Sequence, residues 1–258
     1  MKQQALAAKR FGAVAQEYLT SSSHARGADL ARLTDLARDL GGAAGYTTVT
    51  ALDLGCGAGH AAYALAEGGA EVTAYDLSAE MLAVVEEEAA RRGLTALHVR
   101  QGAAERLPLA EDSFDLVVTR YSAHHWAYVP AALREARRVL RPGGTLVVID
   151  TVAPEAAVAD SLLQTVELLR DPSHVRDYRV TEWADMLETA GFTAPEADVW
   201  KLPLEFASWV ARMETSELRA KAVRDVLSKA AEEARRHFDV QADGSFNLDV
   251  AWLRSVRA

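Results

Sequence analysis

Residues 51–59 read Ala51-Leu52-Asp53-Leu54-Gly55-Cys56-Gly57-Ala58-Gly59. The segment sits where a short apolar run ends and a helical pattern begins. Three glycines without β-carbons let the backbone turn sharply and let a ligand come close. The helix start that follows offers backbone N–H groups with no intrahelical partner. In nicotinamide enzymes a comparable turn holds a pyrophosphate with the spacing G-x-G-x-x-G. Here the third glycine comes one residue early and Asp53 stands two before the first. A carboxylate there repels a pyrophosphate and suits an ammonium group.

Around that turn the chain alternates between apolar runs and helical segments. VTALD, VTAYD, LTALHVR, FDLVVTR and TLVVID read as strands one to five. AGHAAYALAEG, SAEMLAVVEEEAARRG and VPAALREARRVL read as the helices between them, and RPGG as a turn. Apolar strands alternating with helices imply an α/β fold with a buried, mostly parallel sheet. Before it, residues 1–46 read as helical, with Phe11, Val14 and Tyr18 on one face and Leu30, Leu33, Leu36 and Leu40 on another. After Asp150, AAVADSLLQTVELLR and TEWADMLETAG read as helices and TAPEADVWKL as strand six. Residues 205–238 read as mostly helical. Phe246, Leu248, Val250 and Trp252 alternate as in a half-buried seventh strand. The expected organisation is one structural domain: a lid over 1–46, a core over 47–150, and cap helices with sheet-completing strands over 151–258.

The second strand also ends in an acid, Asp76, where a carboxylate can accept both hydroxyls of a ribose. A ribose, an ammonium and no phosphates describe an adenosyl amino acid. The bland alternative is that Asp53 and Asp76 cap the following helices. Cys56 is read as packing in the turn rather than as a nucleophile.

The segments ALDLGCGAG, VTAYD with SAEML, QGAAERLPLAEDSFDLVV and LRPGG, in that order, resemble the class I S-adenosylmethionine methyltransferases, with the ubiquinone and menaquinone biosynthesis enzymes as the best-known relatives of the pattern. FGAVAQEYLTSSSHARGADL, RYSAHHW, RDPSHVR and the TEW segment resemble the YcgJ-like methyltransferases of the type 11 group. The resemblance implies a Rossmann-like sheet of seven strands with helices on both faces, the last strand antiparallel, and helical cap insertions. It implies S-adenosylmethionine as cofactor, S-adenosylhomocysteine as product, and no metal.

By that resemblance Gly55 and Gly57 line the methionine part and Asp53 orders their loop. Asp76 takes the ribose, Leu77 and Met81 pack on the adenine, and Arg120 offers its carbonyl to the ammonium. The family often has an acid where this chain has Ala103. The backbone N–H of Ala104 can still meet the ring, and Glu105 follows in the same wall. Tyr18 and His24 lie in the lid, and Tyr18 is a candidate contact to the methionine part. His60 either opens its helix or reaches the methionine carboxylate.

Ligands of open α/β sheets sit beyond the carboxyl ends of the strands. The fourth strand delivers Arg120 through Trp126 there, which makes Tyr121, His124 and His125 candidate catalytic groups and Trp126 a candidate substrate contact. Adjacent histidines cannot readily point the same way. Trp126 could equally pack under the N-terminal helices. Arg170, His174 and Arg176 either hold an anionic acceptor or pin the cap through Asp171 and Asp177.

The 258 residues carry a net charge of −9 and are 50% hydrophobic. An acidic surface disfavours nucleic acid and anionic membrane as partners. A single cysteine excludes an intramolecular disulfide, and the opening residues lack the apolar core of a secretory signal. The expectation is a cytoplasmic monomer or homodimer that methylates a small molecule at O, N or C. A nicotinamide dehydrogenase fails on the glycine spacing. A cofactor-binding protein without catalysis, or one directed at protein, is the alternative.

Overall fold

A computed structural model of the chain describes residues 2–13, 27–43 and 48–258. Val14, Tyr18 and His24 fall outside the described residues, so the expectations on them go no further. Two helices, α1 (Gln3–Ala13) and α2 (Ala28–Ala43), precede β1 (Thr50–Leu54), α3 (His60–Glu67), β2 (Glu71–Asp76), α4 (Ala79–Arg92), β3 (Leu97–Gln101) and β4 (Phe114–Arg120). Then come α5 (Val129–Val139), β5 (Leu140–Thr151), α6 (Ala157–Arg170), α7 (Val180–Thr189) and β6 (Glu196–Leu204). The chain ends with α8 (Phe206–Ala211), α9 (Glu217–Lys229), α10 (Glu232–His237) and β7 (Phe246–Val256).

The strands form one seven-stranded sheet in the order β3-β2-β1-β4-β5-β7-β6. The ladders from β3 to β5 are parallel, whereas β7 runs antiparallel to both β5 and β6. The chain leaves β1 toward β2 and β3, then returns to β4 on its other side. That reversal opens a crevice beyond the carboxyl ends of β1 and β4.

Alternation along the strands explains the two covered faces. Ala51 and Leu116 pack with Leu33 of α2, Leu65 of α3 and Val85 of α4. Leu52 and Val117 turn the other way, against Leu133 of α5 and Leu187 of α7. A third cluster joins α6 to α8, α9, the end of β6 and the start of β7 through Leu163, Trp209, Val223, Leu204 and Phe246.

Two expectations need correction. β7 is half-buried only in part: Asn247 and Asp249 stay partly exposed between Phe246, Leu248 and Val250, but Ala251 and Leu253 farther along its second face are as enclosed as Val250 and Trp252. Strand order is the cause, since β7 lies inside the sheet between β5 and β6. The RPGG segment does not stand apart as a turn; it runs within β5, with Gly143 at φ 77° and a register shift against β4 between Phe114 and Leu116. Among the described residues, no helix is long and apolar enough to cross a membrane.

Candidate active site

The glycine turn after β1 forms the floor of a cleft enclosing about 970 Å³. Gly55, Gly57 and Gly59 all have positive φ (75°, 50° and 86°). A β-carbon on Gly55 would stand 2.0 Å from Ser122 Oγ, whereas one on Gly57 would meet nothing within 4 Å. The turn is thus pressed against the β4 loop at one glycine and open at the next.

Gly59 sits at the N-cap of α3 and has no side chain to cap it. Asp53 does so from the strand tip: its Oδ2 accepts the Ala62 N–H at 2.8 Å. Its Oδ1 is buried with no partner. Burial outweighs the Ala62 bond and pushes the Asp53 carboxyl up to about 7, with Asp76 adding to the rise and Arg120 opposing it. A buried carboxylate with one vacant oxygen in a cleft wall is poised for a cation.

Asp76 closes the other side. Its Oδ2 accepts the Gly57 N–H and its Oδ1 the Ser78 N–H, both at 2.9 Å. Burial raises this carboxyl too, against the pull of those backbone bonds. Each oxygen keeps a second lone pair for a hydroxyl. The capping alternative therefore holds for Asp53 without displacing a ligand role. It fails for Asp76, because Ser78 caps α4.

The expected cofactor residues converge. Asp53, Gly55, Cys56, Gly57 and His60 line the cleft, as do Asp76, Leu77 and Met81. Ala104, Glu105 and Arg120 complete the far wall, but Ala103 does not reach it. Burial, followed by the Asp76 and Asp53 charges, holds the Cys56 thiol well above its ordinary range, which suits packing rather than nucleophilic attack. Glu105 accepts the Gln4 Nε2–H of α1 and the Ala127 N–H, each at 3.0 Å, and so ties α1 to the cleft.

Arg120 reaches away from its strand tip to Asp29 of α2, with Nε 2.5 Å from Oδ2 and both side chains buried. After it, Tyr121 takes φ 50°, a left-handed backbone uncommon for a bulky residue. The next residues wind into a short 3₁₀ turn over Ala123–His125. His125 and Trp126 line the cleft. Trp126 donates its Nε1–H to Ser122 Oγ at 3.1 Å.

A second chamber of about 580 Å³ opens behind the first and shares Phe11, Tyr121 and His125 with it. His124 lines this chamber and not the cleft, whereas His125 lines both, and the two rings stay 4.2 Å apart. Of the three cap cations, only Arg170 lines it. Arg170 also contacts Glu167 at 3.3 Å and stacks 4.9 Å from the centre of the Trp209 ring. Arg176 is held by Asp160 at 3.2 Å and Glu182 at 3.4 Å, and His174 is bonded to Gln164 at 3.2 Å. Arg176 thus pins the cap through Asp160 and Glu182, while His174 Nε2 lies 3.8 Å from Asp177 Oδ2, one of the expected acids. Asp171 instead accepts the Ser173 N–H and Oγ–H.

Sequence reasoning missed Asp29 and Asp150. Asp150 is next to last in the fifth strand as Asp53 is in the first, and that shared position was a usable signal. Nothing near Asp29 in sequence marks it.

A family profile described as Methyltransferase domain matches residues 52–148. The chain is 46% identical over 200 residues to YafE of Escherichia coli, an uncharacterized protein, spanning 78% of this chain and 97% of that one. It is 38% identical over 187 residues to the uncharacterized methyltransferase YcgJ of Bacillus subtilis, spanning 72% and 74% of the two. The crystal structure of YcgJ matches with a TM-score of 0.80 and 34% identity, over 88% of this chain and 98% of that one. A demethylmenaquinone methyltransferase of Chlorobaculum parvum is 35% identical over 112 residues, 43% of this chain and 44% of its own.

Proposed function

The chain belongs to the class I S-adenosylmethionine methyltransferases, and on that premise we propose that it methylates a small-molecule acceptor at O, N or C, with release of S-adenosylhomocysteine. Bound S-adenosylmethionine supplies an electrophilic methyl on a sulfonium. The residues of the chain have then to bind, orient and exclude water.

The observation that carries this reading is a cleft lined by two buried carboxylates, Asp53 and Asp76, the first with a buried Oδ1 that has no hydrogen-bond partner among the described residues. A ligand with a cationic amino-acid end and a ribose satisfies both carboxylates at once. Leu77 and Met81 give the adenine an apolar slot, and Gly57 leaves room for the methionine end. In this reading the Arg120 carbonyl meets the ammonium, while its side chain stays on Asp29. Tyr121 and His125 line both the cleft and the second chamber, and in this reading the acceptor occupies that chamber against Arg170 and Trp209. A small-molecule acceptor also accords with the demethylmenaquinone methyltransferase among the relatives.

Titration calorimetry with S-adenosylhomocysteine tests the cofactor half. Saturable binding is expected, weakened at least about tenfold in Asp76→Ala, since hydrogen bonds to a charged group contribute roughly 1.5–3 kcal/mol each. Product formation across an acceptor panel tests the transfer. Absence of binding to the wild-type protein would overturn the reading.

A further inference from the structure

Asp150 ends β5 beneath the second chamber and is buried. Its Oδ1 lies 2.6 Å from His124 Nδ1 and also accepts the Thr151 N–H at 2.9 Å, while its Oδ2 accepts the His124 N–H at 3.3 Å. Backbone and side chain of His124 are thus gripped by one carboxylate. With Nδ1 committed, Nε2 is the edge left over. Among the described residues no group hydrogen-bonds it, and it is not among the buried polar atoms lacking a partner. The ring lines the chamber. Nε2–H is therefore a donor presented to the chamber's contents.

We propose that the second chamber binds the acceptor through an ionised oxygen, taking a weakly acidic hydroxyl compound with an apolar body as its oxyanion, with the His124–Asp150 pair presenting its positive end to that oxygen. The proposal rests on the methyl-transfer reading of the cleft and adds the chemical class of the acceptor. On binding, the acceptor O–H bond breaks, its electron pair stays on oxygen, and the proton passes to bulk water. The anion then accepts a hydrogen bond from His124 Nε2.

The surroundings fit this assignment. Burial alone would strip the charge from His124, but the Asp150 carboxylate reverses that and carries the imidazole to about 9, helped by Glu167. His124 thus keeps its proton at neutral pH and acts as a donor, not as a base. His125 stacks 4.2 Å from it and His174 5.8 Å. Burial and the neighbouring His124 charge hold both well below the ordinary imidazole range. Burial also pushes the Asp177 carboxyl up toward its neutral form. The Glu167 charge is answered by Arg170, and Arg212 stands on the same wall. Leu202, Leu204, Leu248, Trp209 and Phe11 supply an apolar wall for the body of the compound.

The probe is 4-nitrophenol, whose ionised form absorbs separately from the neutral one. It is titrated with pH in the wild-type protein saturated with S-adenosylhomocysteine. An opposite charge at this range lowers an acid's pKa by roughly 1–3 units, so the bound probe is expected to ionise at least about one pH unit below the free probe. Asp150→Asn and His124→Gln should each abolish the shift while leaving S-adenosylhomocysteine affinity unchanged. A probe that does not bind, binds neutral, or ionises as it does in water overturns the proposal. So does a shift that survives in both variants. Failure of S-adenosylhomocysteine to bind the wild type defeats the methyl-transfer reading and this one with it. Cofactor binding without the shift defeats only the oxyanion site.

Discussion

Asp53→Asn separates what the first strand tip does for folding from what it does for binding. In the free protein the Asp53 carboxyl is pushed up to about 7 by burial. Its value in an unfolded chain is about 3.9. Between those values the unfolded chain ionises while the native one keeps its proton, so native stability falls as pH rises through this window. Three pH units correspond to roughly 4 kcal/mol, fully lost above pH ~7. Asparagine ionises in neither state and can still accept the Ala62 N–H, so it removes that loss. Against this, its amide N–H₂ replaces the vacant Oδ1 and lacks an acceptor there, at a cost of about 1–3 kcal/mol.

The net expectation is a free variant about 1–3 kcal/mol more stable than wild type at pH 8, or roughly 2–12 °C in Tm for a chain of this size. At pH 4, where the wild-type carboxyl is protonated in the native state, the same variant should be the less stable one. Binding should move the other way. Only the ionised carboxylate attracts a cationic ligand, so wild-type affinity for S-adenosylmethionine should rise about tenfold from pH 6 to pH 8, and the variant should bind weakly with little dependence on pH. Thermal melts of the free protein at both pH values, paired with calorimetry, read out all of this. A variant less stable than wild type at pH 8, or one that binds as tightly, would refute the argument.

Further substitutions probe the contacts around the site. Arg120→Met or Asp29→Asn alone should cost about 3–5 kcal/mol in urea unfolding, because each strands a buried charge or donor; Arg120→Met with Asp29→Leu should recover most of it. Arg176→Ala should change stability by less than about 1 kcal/mol, since its pairs with Asp160 and Glu182 are a third exposed on the arginine side. The acceptor's KM should be unchanged in that variant, and a clear rise in KM would return Arg176 to the acceptor site.

The cofactor half of the site was legible because its determinants are local. Asp53, the three glycines and Asp76 lie at successive strand ends, and strand-end position depends on a hydrophobic pattern visible in sequence. The acceptor half was legible only where it borrows from that pattern, at residues 120–126. Its remaining walls come from α6, β6, α8 and β7, brought together by a strand order in which β7 inserts between β5 and β6. No periodicity encodes that order. The same insertion explains why the middle of β7 is enclosed on both faces, although the strand reads as half-buried in sequence. Charge partners were only partly legible for a related reason. His174 lies beside Asp177, close to it in the chain, but α6 and α7 bring Asp160 and Glu182 to Arg176.

The segment after β4 shows why one strand tip can serve two ligands. A left-handed Tyr121 costs about 1–2 kcal/mol of backbone energy. It also turns the chain so that Ser122 meets Gly55 and the following residues wind into a 3₁₀ turn. Neighbours on such a turn point about 120° apart, which sends His124 to Asp150 and His125 to the cofactor cleft. Placed 4.2 Å apart, the two rings cannot both carry a proton cheaply. Asp150 decides which one does. It follows that the one histidine that lines the cofactor cleft is neutral where a cationic ligand is to bind, and the charged one lines only the second chamber, which suits an anion. A like charge beside the cation is avoided and an opposite charge is offered to the acceptor, both through a single carboxylate that touches neither ligand.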